Sequence, residues 1–259
     1  MPEVCTLASS SKGNACVVSC KGSMILVDAG LSLKQLTQRI SELGSSVGKL
    51  EAVLVTHEHA DHIKGLPMLA SKFSMPIFAS RGTSLALRRQ FPKLEGRITP
   101  FFAGDVFNVG EFRVESFPTS HDSAESVGYV FRTANAKITI ATDMGCTNED
   151  AERAVEGADL LLLEANHDVE MLWMGPYPLS LKRRILGKRG HLSNDDSARL
   201  ALHAAKGGTR RIVLIHLSEE NNTPELALET VGTALREKLG SGFELDAAPA
   251  RTQGKVYVI

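Results

Sequence analysis

The densest chemistry in the chain lies in one short stretch, His57-Glu58-His59-Ala60-Asp61-His62. Three imidazoles and the Asp61 carboxylate fall within six positions. His57 and His59 are two apart, so in extended chain they point the same way. Asp61 and His62 follow where Ala60 to Leu66 can begin a helix. Neutral imidazole with carboxylate suits Zn²⁺, Mn²⁺ or Fe, and these spacings can converge on one point. Three further positions have the same character. His121, Asp143 and His216 each lie in the polar residues that follow an apolar, strand-like run. His191, in Gly190-His191-Leu192-Ser193-Asn194, opens a predicted helix, and His167 follows the run Leu160 to Glu164.

These side chains need rigid supports, and the apolar pattern supplies them. Val4–Leu7, Ala15–Ser19, Met24–Val27, Val53–Val55 and Pro76–Ala79 read as strands. Asp105–Val109 and Glu111–Phe117 read as a hairpin across Gly110. Ser126–Arg132, Lys137–Ala141, Leu160–Glu164, Ile212–Ile215 and Lys255–Ile259 complete the strand set. Helices are predicted over 32–43, 63–73, 83–90, 148–155, 193–206 and 224–239. Ser193 is placed to cap its helix, with Asp196 as the reciprocal capping-box partner. Strand-and-helix blocks thus occur twice, with a break near 115–120. Two mixed sheets covered by helices, a four-layer αββα sandwich in one domain over 1–259, satisfies this order.

Composition narrows the class. The 259 residues carry a net charge of −1 and no apolar run long enough for a membrane helix. Four cysteines without a CxxC pair, and no basic or apolar leader, lead us to expect a reduced, cytoplasmic protein. Against the near-neutral total, Lys182, Arg183, Arg184, Lys188 and Arg189 place five cations within eight positions, running into His191. Such a run suits contact with a phosphate backbone. Trp173, just upstream, could stack on a base.

His57-x-His59-x-Asp61-His62, preceded by a buried strand and by Asp28-Ala29-Gly30, resembles the HxHxDH signature of the metallo-β-lactamase superfamily. The resemblance implies the αββα fold and a hydrolase with two divalent cations. His57, His59 and His121 would hold one cation, and Asp61, His62 and His216 the other. Asp143 would bridge them, and Asp61 would also take part in catalysis. A water between the cations would have its pKa lowered toward neutrality. Zinc fits the histidine-rich set, and manganese or iron fits it nearly as well. Asp28 would orient a ligand loop or imidazole, although its spacing serves equally for a turn-capping residue. In phosphodiesterases of the superfamily an extra histidine in the order of His191 assists catalysis.

Leu7-Ala8-Ser9-Ser10-Ser11-Lys12-Gly13-Asn14-Ala15, Leu163-Glu164-Ala165-Asn166-His167-Asp168 and Leu217-Ser218-Glu219-Glu220-Asn221-Asn222 look like the YycJ/WalJ-type branch. Lys12 departs from that branch's usual Ser-Gly-Asn form. The branch implies 5′-to-3′ exonuclease action on DNA ends, with a link to repair. Asn14 and His167 then join the basic run as expected substrate contacts. The interval from Asp143 to His216 is too short for the β-CASP insertion. A small-molecule hydrolase of esters, lactones, thioesters or cyclic phosphodiesters on the same two-metal site is the alternative.

Overall fold

A computed structural model describes residues 1–259. The first sheet is built from β1 (Pro2–Ser10), β2 (Gly13–Cys20), β3 (Ser23–Val27), β4 (Ala52–Leu54), β5 (Ile77–Ser80) and β6 (Ile98–Phe101). The second holds β7 (Val106–Val109), β8 (Phe112–Pro118), β9 (Val127–Arg132), β10 (Lys137–Ala141), β11 (Leu160–Glu164), β12 (Arg211–Ile215) and β13 (Glu244–Ala247). A last strand, β14 (Tyr257–Val258), returns to pair with β1, so each sheet has seven strands. The runs β3-β4-β5-β6 and β10-β11-β12-β13 are parallel. Their carboxyl ends therefore open on loops along one edge.

Alternation along the strands makes four layers. In β3, Ile25 and Val27 enter the apolar cluster between the sheets, while Met24 and Leu26 enter the cluster under the first sheet's helices. In β11, Leu160 and Leu162 face the inter-sheet cluster, and Leu161 and Leu163 face the other helical layer. On the first face lie α1 (Leu33–Glu42), α2 (Ala60–Ile63), α3 (Leu66–Lys72) and α4 (Arg81–Gln90). The second half adds α5 (Glu149–Val155), α6 (Val169–Met174), α7 (Leu179–Ile185), α8 (Asn194–Lys206) and α9 (Pro224–Leu239). Helix α1 shows why such segments hold. Ser32 and Gln35 form a full capping box, and Leu36 and Ile40 are buried on one face. Each buried Leu or Ile contributes about 1.5–3 kcal/mol.

The αββα expectation stands, with four local corrections. The chain crosses between sheets at 102–105, and the break expected near 115–120 falls on the end of β8. The helix expected over 63–73 is split into α2 and α3 at Gly65. The backbone of 29–31 wedges in there: Gly65 N donates to Ala29 O at 2.8 Å, and a Cβ would lie 1.9 Å from Leu31 O. At α8, Ser193 caps as expected, but the Asp196 carboxylate accepts from the Ser193 hydroxyl, not from its backbone N–H. The strand expected over 255–259 shrinks to β14. No helix is long and apolar enough to cross a membrane.

Candidate metal centre

Residues that leave the strands at one edge converge. Asp28 follows β3, the His57–His62 stretch follows β4, and His121 follows β8. Asp143, Glu164 and His216 follow or end β10, β11 and β12. Asp28, Asp143 and His216 have φ of 60°, 56° and 58°. A left-handed non-glycine residue costs about 1–2 kcal/mol, and such strain collects at functional sites. Here it turns the chain sharply at three strand ends.

Two groups of ligand atoms result. His57, His59 and His121 bring ring nitrogens within 4.8 Å of one another, and Asp61, His62 and His216 do the same with a carboxylate oxygen. Asp143 lies between them. Its Oδ1 is 3.7 Å from His121 Nε2 and 3.6 Å from His216 Nε2, and its Oδ2 is 3.4 Å from His62 Nε2. His57 Nε2 is buried without a hydrogen-bond partner. His59 Nδ1 and His121 Nε2 face each other at 3.2 Å. Asp28, Asp143 and Glu164 are 3 %, 1 % and 0 % exposed, and only imidazoles oppose them in ion pairs. Buried carboxylates with so little counter-charge call for cations. The residues fit divalent metal.

The electrostatics agree. Burial pushes the His57 and His121 imidazoles below their ordinary value, leaving neutral ligands. Burial also pulls His62 down, but Asp61, Asp143 and Asp28 outweigh it and hold this ring well above its usual range. His216 is likewise raised, against burial, to about 9 by Asp143, Asp61 and Glu164. Burial would raise Asp61 and Asp143, yet the surrounding imidazoles hold both well below the carboxylate range. Protons on His62 and His216 thus supply positive charge that a cation would replace.

Around these groups lies a bracing layer. Asp28 Oδ2 is 2.7 Å from His62 Nδ1, and Asp28 Oδ1 accepts from Thr56 N at 2.9 Å. Asp28 therefore touches both a loop and an imidazole. His121 Nδ1 lies 2.9 Å from Gly190 O. Glu58 accepts from Ala124 N at 2.7 Å and pins the loop carrying His121. On the rim, His191 Nδ1 is 2.7 Å from Glu164 Oε1, while Glu164 Oε2 accepts from Met144 N at 2.7 Å. Sequence reasoning missed Glu164, because a carboxylate ending an apolar run looks like any strand terminus. It also missed Thr56, whose hydroxyl reaches Asp28 and His57 Nδ1.

Three of the expected substrate contacts, Asn14, His167 and Lys182, do not hold. Asn14 is buried, with its amide nitrogen on Ser10 O at 2.9 Å and Asp61 Oδ2 at 3.0 Å, so it braces Asp61. His167 is 1 % exposed and cannot meet a ligand. Lys182 is buried, and its Nζ donates to Trp173 O and Gly175 O. Arg189 stays exposed and also donates to His121 O at 3.0 Å and Ser123 O at 3.1 Å, which secures the His121 loop. Arg184 pairs with Asp122 on the rim beside His59 and His121. Arg183 and Lys188 remain exposed.

Fold and site together define a metallo-hydrolase architecture, and comparison with known proteins agrees. Residues 23–217 match the model of the β-lactamase superfamily domain. The chain is 39% identical to the exodeoxyribonuclease YycJ of Bacillus anthracis, over 98% of this chain and 97% of that protein. It is 38% identical to the exodeoxyribonuclease WalJ of Streptococcus pneumoniae, over 92% and 90% of the two chains. The metallo-β-lactamase fold protein YhfI of Bacillus subtilis superposes over the full length of both chains with a TM-score of 0.75 at 17% identity, a likeness of fold. The chain belongs to the β-lactamase superfamily, and within it to the YycJ/WalJ-type group.

Proposed function

We propose that this protein is a divalent-metal-dependent nuclease that shortens DNA from its ends in the 5′-to-3′ direction. The observation that carries the reading is the position of Asp143 between two imidazole-rich clusters, with the His191–Glu164 pair at their edge. The names of the YycJ and WalJ relatives support DNA as the polymer. A role in repair fits the same reading, and zinc or manganese suits the mixed nitrogen and oxygen donors.

His57, His59 and His121 would hold one cation, and Asp61, His62 and His216 the other, with Asp143 reaching both. Bound there, divalent cations neutralise phosphate charge and bring the pKa of an attacking water toward neutrality. The chain's own side chains do the rest. Asp28 fixes the His62 ring, and Asn14 fixes Asp61, so that their ligand atoms stay aimed. Glu164 holds His191 through Nδ1, which leaves Nε2 free of protein partners. With a proton on both ring nitrogens, His191 would give the one on Nε2 to the departing oxygen. Arg184, Arg183 and Lys188 offer cations to the flanking phosphates.

The test uses purified protein, duplex DNA labelled at either end, and Mn²⁺, Mg²⁺ or Zn²⁺ in turn. Early release of a 5′ label, with stepwise shortening of 3′-labelled strands, is expected. Both should vanish in His59→Ala and Asp143→Ala. Turnover of a small ester with no DNA shortening under any metal would replace the nuclease reading with that of a small-molecule hydrolase.

A further inference from the structure

Helix α6 ends on two apolar side chains that the fold leaves uncovered. Trp173 is 48% exposed and Met174 88%, although Leu172 beside them is fully buried. Slack does not explain the exposure, because the corner is built firmly. The buried Lys182 sends Nζ to Trp173 O at 2.6 Å and to Gly175 O at 2.7 Å. Gly175 N donates to Met171 O at 2.7 Å, and a Cβ at Gly175 would lie 2.8 Å from Asn221 Oδ1. At the helix start, Asp168 caps Met171 N, and Asp168 N donates to Asn221 O at 2.8 Å. Asn221 belongs to the loop that follows His216. A buried lysine and a close-packed glycine thus serve to display a tryptophan.

The corner also stands near the metal-binding cluster. Two residues beyond Lys182, on the opposite side of α7, Arg184 reaches Asp122 beside His121. Platform and cluster therefore flank one helix, whose width is about 10 Å. Between Lys182 and Arg184 sits Arg183, exposed. An exposed indole and thioether, on a corner tied through Lys182 to the helix that carries exposed Arg183, match a flat base-pair face next to a phosphate. Only the end of a duplex offers such a face, because interior pairs are covered by their neighbours.

We propose that Trp173 and Met174 form a platform on which the terminal base pair of a DNA duplex stacks, with Arg183 on the adjoining phosphate. The proposal rests on the DNA reading above and names what would make the enzyme end-selective.

Trp173 is the single tryptophan of the chain, so its emission reports this corner alone. Wild-type protein is titrated with a short blunt duplex, protected by phosphorothioate linkages at its ends, and with closed circular duplex at equal nucleotide concentration. Saturable quenching by the blunt duplex and little by the circle is expected. Trp173→Ala combined with Met174→Ser should weaken binding to duplex ends about tenfold, which corresponds to about 1.4 kcal/mol. Trp173→Phe should restore most of it. Metal content of each variant checks folding.

Equal quenching by circular DNA, or end binding by the double variant at wild-type strength, overturns the platform. So does emission that shifts with protein concentration in the absence of DNA, which would assign the corner to a second copy of the chain. The two readings fail separately. A wild type that quenches on ends but shortens no DNA removes the nuclease reading and keeps the platform. A double variant that binds and shortens ends as the wild type does removes the platform alone.

Discussion

Asp28 shows how much one side chain can control. Its carboxylate holds the His62 ring at 2.7 Å and the backbone that leads into His57. Asp28→Ala leaves a buried imidazole N–H and a buried backbone N–H without an acceptor. The expected costs are about 1–3 kcal/mol of folding stability and about 10- to 100-fold in metal affinity. Denaturant titration and metal competition measure them, and an unchanged affinity would remove Asp28 from its bracing role. His191→Ala tests a different function. Its kcat on DNA should fall by about 10²- to 10⁴-fold while metal content stays as in the wild type. Loss of metal along with activity would instead make His191 a ligand. His167 reports on burial. Burial lowers its pKa from 6.5 to about 4. Between those values the unfolded chain takes up a proton that the folded chain refuses. Stability therefore falls as pH drops through this window, by about 3 kcal/mol for a shift of this size. His167→Phe should flatten the difference in denaturant midpoint between pH 7 and pH 5, measured on chelator-treated protein. An unchanged slope would mean the ring titrates normally.

At the level of elements, the site depends on loops packed backbone to backbone. A Cβ on Gly30 would lie 1.7 Å from Asp61 O and 2.5 Å from Asn14 N. Gly145 stands against the 188–190 loop, with Gly190 N at 2.3 Å from its would-be Cβ. Such contacts set Asp61 against Asn14, and Asp143 against His191. Gly30→Ala should cost about 1–3 kcal/mol and weaken metal binding, because Asp61 must move; normal metal affinity with lowered stability would confine the effect to packing. Helix α7 and the turn after it carry the exposed cations Arg183 and Lys188. Arg183→Ala with Lys188→Ala should lower the salt dependence of DNA binding by about one per lost phosphate contact. An unaltered slope would place the backbone elsewhere.

The same scale explains what the sequence made legible. The HxHxDH stretch, the strand-exit positions of His121, Asp143 and His216, and the long apolar strands stood out, because spacing and periodicity are local signals. Helices α6 and α7 are short and separated by Gly175, Pro176 and Pro178, which read as loop, and β6 and β13 lie beyond the strongest apolar runs. The basic run misled in part. Charge says nothing of direction, and only the fold shows that Lys182 turns inward while Arg183 turns out.

For the molecule as a whole, neither sheet owns the site. The first supplies Asp28 and the His57–His62 stretch, and the second supplies His121, Asp143, Glu164, His191 and His216. The apolar cluster between the sheets, with Phe112, Tyr129 and Phe131 fully buried, brings them to one edge. Contacts such as His216 N to Ser9 Oγ at 2.8 Å close the seam. Cations bound across that seam stabilise the docked state by mass action, by about 4 kcal/mol per site at a thousandfold excess over Kd. Chelation should therefore lower Tm by several degrees, reversibly on adding metal back, and an unchanged Tm would deny that metal links the halves. His57, His59, Asp61, His62, His121, Asp143 and His216 are proposed to hold two divalent cations that DNA shortening requires. The most direct measurement titrates metal-free protein with Mn²⁺ while following the shortening of end-labelled duplex. No shortening without metal, and a plateau at two equivalents per chain, are expected. Full activity without metal, or a plateau at one equivalent, would contradict the two-cation proposal.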